Sequence, residues 1–258
     1  GKKNEKILKG VLKEFRKIGY VMHVRVMSAE NYGVPQKRRR TIFIGNRIGY
    51  ETKFPIPTHG KSEKLKPLVT IGDAIGNMKI KNGEILNHDV ESAKISKELI
   101  RKRVEKVPEG KGIRYKEDER AYLPKKLWLG VDWDTIGEGR LREEQYHRLG
   151  RDEVAPTIMT SRHTYFHPTE TRYLTCREAA AIQSFPNNYK FVGSISQQWR
   201  QIGNAVPPLL GKAIGKAILK SLKTKKKATT LESQVIRQNA FSYEKDLTKD
   251  LLPITKFA

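Results

Sequence analysis

The 258-residue sequence predicts an α/β protein made of part of an open sheet layer plus a small, irregular and mostly β second lobe. Three observations carry that prediction. An amphipathic stretch is followed by two β-rich runs within the first 50 residues. The composition then shifts to Pro, Gly, Lys and Glu from Tyr50 to about Gly150, and strong helical periodicity returns near residue 208.

Taken in order, residues 4–18 place Ile7, Leu8, Val11, Leu12, Phe15 and Ile18 at helical spacing, with Gly19 where a C-terminal cap belongs. Tyr20 to Met27 and Thr41 to Gly45 read as strands, the second being short and apolar enough to be buried. One helix and two or three strands cannot close a layer, because an outer strand would keep unpaired backbone groups, so more sheet has to come from elsewhere. In the irregular lobe only short apolar islands stand out, such as Leu68 to Ile71 and Leu127 to Val131. Thr175 and Glu178 form a capping box for a helix that Pro186 ends, and a short helix from Ser196 to Ile202 is expected to stop at Gly203. Pro207 and Pro208 suit the first turn of a helix whose apolar face is Leu209, Leu210, Ala213, Ile214, Ala217 and Ile218. Lys223 to Lys227 is nearly all lysine, and residues 223–258 are expected to be a basic tail or a loosely docked appendage.

Charge narrows the partner. Lys and Arg number 51 against 28 Asp and Glu, a formal net charge of +23 and a pI near 10.0. Residues 1–50 alone hold thirteen basic and three acidic side chains. Such a balance favours polyanions, nucleic acid first, although a solvated lysine-rich surface has the same composition and a motif is needed beside it. The single cysteine, Cys176, excludes an internal disulfide framework and a cysteine-based zinc site. With no run near the roughly 18 apolar residues that span a bilayer and no signal-peptide pattern, no membrane role and a cytoplasmic location are expected. No metal site is expected.

The segment from Asn31 to Arg40, followed by Thr41-Ile42-Phe43-Ile44-Gly45, carries the most chemistry. Gly33 and Pro35 fix a tight loop between strands, and alternation into the second strand would set Gln36, Arg38 and Arg40 on one face. Arginine forks there suit phosphate oxygens and the O2 edge of a base. Downstream, Arg148 to Thr160 leads through His167-Pro168 to Arg172, Leu174, Thr175, Glu178, Gln183, Phe185 and Pro186. The run Gln201-Ile202-Gly203-Asn204-Ala205-Val206-Pro207-Pro208 follows. A Gly-Asn turn opening a helix would offer free backbone N–H groups and an amide side chain to a ligand's carboxylate and hydroxyls.

These segments resemble, in order, the Gln-x-Arg-x-Arg loop, the end of the target-recognition domain with its hinge, and the closing Gly-Asn-Ala-Val-Pro-Pro motif of cytosine-5 DNA methyltransferases. The likeness covers about residues 1–222, with the lobe matching in position and length only. It implies the C-terminal portion of a Rossmann-like methyltransferase sheet plus a target-recognition domain. Residues 1–50 would belong to the catalytic domain, 51–171 to the recognition domain, 172–202 to a hinge and 203–222 to a helix returning to the catalytic domain. By the same likeness Arg40 contacts a flipped-out cytosine, Arg38 orders the site and Gln36 supports the loop. Asn204, Ala205 and Val206 form one wall of a shared S-adenosyl-L-methionine site, and Arg148, Arg151 and Thr160 are the candidates for contact with duplex DNA.

The family's nucleophile is absent. Methylating C5 of cytosine requires addition of a nucleophile at C6, which the family achieves with a Pro-Cys loop, a Glu-Asn-Val glutamate and a Gly-rich cofactor turn. The sequence has none of these, and Glu30-Asn31 is followed by Tyr32. Cys176 lies at a helix N-terminus, where a thiolate is favoured, but it sits inside a capping box with no Pro-Cys loop around it and is read as a small first-turn residue. The expectation is therefore the DNA-recognition half of a bacterial or archaeal restriction-modification methyltransferase, inactive alone and partnered by an N-terminal half carrying Pro-Cys and Glu-Asn-Val. The alternatives are a non-catalytic DNA-binding remnant or specificity subunit and, more weakly, a basic RNA-binding protein.

Overall fold

The computed structural model describes residues 2–86, 88–162, 165–227, 234–236 and 251–253. In chain order its elements are α1 (Lys2–Lys17), β1 (Val21–Ser28), β2 (Arg39–Asn46), α2 (Ile71–Ile75), β3 (Glu84–Ile85), β4 (His88–Asp89), α3 (Glu98–Lys106), β5 (Ile113–Tyr115), α4 (Lys116–Tyr122), β6 (Arg140–Gln145), α5 (Cys176–Ile182), α6 (Ile195–Asn204), α7 (Pro208–Thr224), β7 (Gln234–Ile236) and β8 (Leu251–Pro253). They fall into two compact units. Unit 1 is Gly1–Tyr32, Arg38–Lys66 and Leu209–Ala258; unit 2 is Gly33–Lys37 and Pro67–Pro208.

Unit 1 is built on a β1–β2 antiparallel pair whose register runs from Val21 opposite Asn46 to Ser28 opposite Arg39. Helix α1 ends as its sequence directs. Gly19 takes φ +84°, its N–H donates to the Arg16 carbonyl, and the N–H of Tyr20 donates to the Phe15 carbonyl, which together satisfy the last turn. Leu8 and Leu12 pack on Tyr20, Met22 and Val24, so one stripe of the helix is anchored to β1. Ile7 and Ile18, on the rest of the expected apolar face, stay more than half exposed. The extra sheet demanded by the sequence arrives in part from the C-terminal segment: β7 pairs parallel with β1, and β8 antiparallel with β7, giving the order β2-β1-β7-β8. Residues 223–258 are thus not wholly a tail. The expectation for residues 228–233, 237–250 and 254–258 lies outside the described residues.

In unit 2, Ile71, Ile75, Leu149, Ile158, Leu174, Ala179, Ile182, Trp199 and Ile202 share one core. Helices α5 and α6, in the stretch expected as a hinge, are central to it. Capping boxes start α2 with Thr70 and Asp73, α5 with Thr175 and Glu178, and α6 with Ser194 and Gln197. A second core gathers Val107, Ile113, Leu123, Leu127 and Trp133. At its centre the buried Glu119 accepts from the Trp133 indole N–H at 2.8 Å and from the Leu129 N–H.

The lobe is not mostly β. Its described strands are pairs of two to six residues, whereas α3 and α4 hold nine and seven. Ile100, Val104 and Val107 recur at i, i+4 and i+7, and that spacing turns α3 inward.

Candidate functional site

The loop at Gly33 (φ +82°) brings Pro35 to Lys37 alongside Ala155, with Lys37 N–H donating to the Ala155 carbonyl and Ala155 N–H to that of Pro35. Gln36 is fully buried. Its Nε2 donates to Gln183 Oε1 at 2.9 Å, and its Oε1 accepts from the Ile158 N–H at 2.8 Å. Gln183 Nε2 donates onward to the Ile202 carbonyl at 2.8 Å. Two buried amides therefore tie the loop before β2, the Pro156-Thr157-Ile158 segment, the end of α5 and the end of α6 into one network. In an apolar interior such a chain is stable only when every member is paired, so it fixes the register of all four segments.

This corrects the expected convergence of three donors. Gln36 is turned into the core and touches no solvent-facing surface, the placement of a residue that supports the loop. The alternation argument fails because β2 begins at Arg39, so residue 36 lies outside the strand. Arg38 is buried, and its carbonyl accepts from the Ala29 N–H. Arg40 lies opposite Met27 and is exposed, its Nη1 donating to the neighbouring Arg39 carbonyl at 2.7 Å.

Of the expected DNA contacts, Arg148 is built into the scaffold. It is buried and donates to the carbonyls of His167, Glu170, Val104 and Val107 at 3.2–3.5 Å, which leaves it no fork for a phosphate. Arg151 is exposed but is held by Glu109 through Nε–Oε1 (2.9 Å) and Nη2–Oε2 (3.0 Å). Thr160 is exposed. It lines a cleft of about 630 Å³ with Ser161, Arg162, Lys94, Ser196 and Trp199. Beside that cleft, the Tyr165 hydroxyl accepts from the Met159 N–H at 2.9 Å and donates to the Thr157 carbonyl at 2.7 Å. Sequence reasoning missed Tyr165. The hydroxyl bonds backbone atoms, which leave no trace in residue type.

Unit 2 also holds a buried ion pair. Arg172 donates to both Glu178 oxygens at 2.8 Å and to Glu170. His167 Nδ1 accepts from the Glu170 N–H at 3.0 Å, which leaves Nε2 as the ring N–H, 3.4 Å from Glu178. Burial pushes the Glu178 carboxyl up, but the Arg172 and His167 hydrogen bonds outweigh it and hold the group at about 2.

The Gly-Asn segment also departs from expectation. Gly203 does not stop α6 but lies inside it, and Asn204 is its last residue, so this end of the helix presents carbonyls, not free N–H groups. Glycine is required at 203 because a Cβ there would stand 2.4 Å from the Met159 carbonyl oxygen and 2.7 Å from the Thr160 nitrogen. Asn204 and Val206 are exposed, Ala205 is half-buried, and the Ala205 N–H donates to the Ile202 carbonyl. Cys176 is 2% exposed and burial pushes its thiol up to about 12, so it holds no thiolate. Among the described residues no cluster of His, Cys, Asp and Glu fits a metal ion, and no helix is long and apolar enough to cross a membrane.

Comparison with known proteins gives the family. The C-5 cytosine-specific DNA methylase family matches residues 1–220. The type II methyltransferase M1.HphI of Haemophilus parahaemolyticus is 36% identical over 214 residues, which are 81% of this chain and 51% of that protein. M.NgoFVII of Neisseria gonorrhoeae is 31% identical over 254 residues, covering 95% of this chain and 62% of the relative. The chain thus spans about half to three fifths of the length of these relatives. A solved structure described as a DNA modification methyltransferase encoded within an Escherichia coli prophage shares the fold, with a TM-score of 0.54 at 19% identity over 82% of this chain and 64% of that one. With residues 1–220 of its 258 inside the family match, the chain belongs to the C-5 cytosine-specific DNA methylases.

Proposed function

We propose that this chain is the DNA-recognition part of a type II restriction-modification cytosine-5 methyltransferase, acting on duplex DNA, and that the Pro-Cys nucleophile and Glu-Asn-Val glutamate come from outside this sequence. The observation that carries the reading is the buried Gln36–Gln183 network. It joins the Gln-x-Arg-x-Arg loop, the Gln-x-Phe-Pro segment and the Gly-Asn-Ala-Val-Pro-Pro segment, which the family resemblance assigns to one function. Such a network over-determines the loop geometry, as a site that must be preorganised requires. The sealed, high-pKa Cys176 supports the same division of labour.

In this reading residues 1–50 and 203–222 are the C-terminal portion of the Rossmann-like catalytic domain, and the lobe within residues 51–171 reads the target. Arg40, exposed on β2, is the cation available to a cytosine drawn out of the stack, with Arg38 behind it ordering the strand. Drawing a base out costs a few kcal/mol, which phosphate and base contacts from a basic surface offset in part. S-adenosyl-L-methionine supplies the methyl group. Asn204, Ala205 and Val206 would hold one side of it, at a helix end whose carbonyls favour hydroxyls and cationic groups over a carboxylate.

The test is titration of fluorescein-labelled duplex DNA with the full chain across a salt series. The reading predicts binding whose log affinity falls linearly with log salt, and weaker binding by Arg40→Ala. Absence of duplex binding, or preference for single-stranded RNA, would overturn it. A second reading, a non-catalytic specificity subunit, draws on the same missing Pro-Cys; it predicts equal binding but no methylation when a Pro-Cys half is supplied.

A further inference from the structure

Residues 157–160 combine a fixed backbone with two exposed side chains, those of Met159 and Thr160. The Ile158 N–H is held by Gln36, and the Met159 N–H and Thr157 carbonyl by the Tyr165 hydroxyl. The Met159–Thr160 backbone rests on Gly203 with no room for a methyl group between them. The Thr157 hydroxyl donates to the Lys37 carbonyl at 2.7 Å. Yet Met159, Thr160 and Ser161 all face solvent, Met159 at 57% exposure. Packing alone does not call for this arrangement, because a loop with exposed side chains stays folded with its backbone hydrated. It is the arrangement a surface needs when its side chains must meet a partner in one geometry.

Tyr165 is the centre of the device. It is 4% exposed, and its ring stacks on Trp199 of α6 at 6.1 Å between centroids and 5° between planes. The ring position is therefore set by α6, and the hydroxyl transmits that position to two successive peptide groups of the loop. Resting on the reading of this chain as DNA-binding, we propose that Tyr165 is a positioning residue for DNA recognition. Its hydroxyl sets the loop so that Thr160, beside the 630 Å³ cleft, meets the duplex at a fixed distance.

Tyr165→Phe removes the hydroxyl and keeps the stack, so it separates positioning from folding. In the full chain it is expected to weaken binding of a labelled duplex about fivefold, with the melting temperature little changed and the slope against log salt unaltered, since no charge is lost. Thr160→Ala is expected to cost a similar factor. If Tyr165 acts through the loop, the double variant binds about fivefold more weakly than wild type, not about 25-fold as independent effects would give. Wild-type affinity in Tyr165→Phe, or full multiplication in the double variant, would refute the positioning role while leaving DNA binding intact. Failure of the wild-type chain to bind any duplex would instead remove the functional reading and this inference with it.

Discussion

Unit 2 and unit 1 each bury arginines on their strands and loops, and hold them differently. In unit 2 the guanidiniums of Arg148 and Arg172 and the amides of Gln36 and Gln183 are each matched to carbonyls, carboxylates or amides at 2.8–3.5 Å. In unit 1, Arg25 is 4% exposed on β1 under the Phe54 ring, with Nε and Nη2 lacking a hydrogen-bond partner among the described residues. The match in unit 2 is not complete, since Arg177 donates to the Pro186 and Tyr189 carbonyls through its Nη atoms while its Nε has no hydrogen-bond partner among the described residues. Both units leave large apolar side chains more than half exposed, Ile7, Ile18, Ile48 and Leu219 in unit 1 and Met159, Val192 and Val206 in unit 2. On the proposed reading, unit 1 is the layer that the rest of a larger sheet would complete.

The contrast breaks most visibly at the buried ion pair. Removing the cation, by Arg172→Ala, leaves the buried Glu178 carboxylate without its ion-pair partner and is expected to cost about 3–5 kcal/mol, read as a large drop in the thermal transition. Its pH dependence has a definite sign. The folded-state pKa of Glu178, about 2, lies below the ordinary carboxylate value of 4.5, so the folded state favours the ionised form. The stabilisation, about 3 kcal/mol, is present above pH 4.5 and lost as pH falls toward 2. Acid titration of stability should lose that step in Glu178→Gln.

A smaller effect is expected at Gly203→Ala. Its methyl group would meet Met159 and Thr160 backbone, which has no rotamer to move, so chemical denaturation should show a loss of about 1–3 kcal/mol. Smallest of all is Ile7→Ser with Ile18→Ser on α1. Being exposed, these should change the stability of the chain by no more than about 0.5 kcal/mol each, while reducing binding of a hydrophobic dye. A large destabilisation there would mean that unit 1 already covers that face.

What the sequence made legible was local. The closure of α1 at Gly19, the Thr175–Glu178 capping box and the start of α7 at Pro208 each depend on residues within one turn, and each stands in the structure. Four expectations depended on distant neighbours and changed. Gly203 resembles a helix stop by propensity, but tertiary contact with the Met159–Thr160 backbone is what demands glycine there, and α6 runs through it. Gln36 was assigned to an outward face by strand alternation three residues before the strand starts. Arg148 has the charge of a phosphate ligand, and only the fold reveals four carbonyls around it. Helices α3 and α4 lie in a stretch whose high polarity masks a short i, i+4, i+7 pattern.

The central claim is that recognition and nucleophile are separate parts. It is tested most directly by transfer of labelled methyl from S-adenosyl-L-methionine to duplex DNA, by the purified chain alone and mixed with a polypeptide carrying Pro-Cys and Glu-Asn-Val. The account predicts no incorporation by the chain alone and incorporation by the mixture, unchanged when Cys176→Ala replaces the wild type. Methyl transfer by the chain on its own would contradict it.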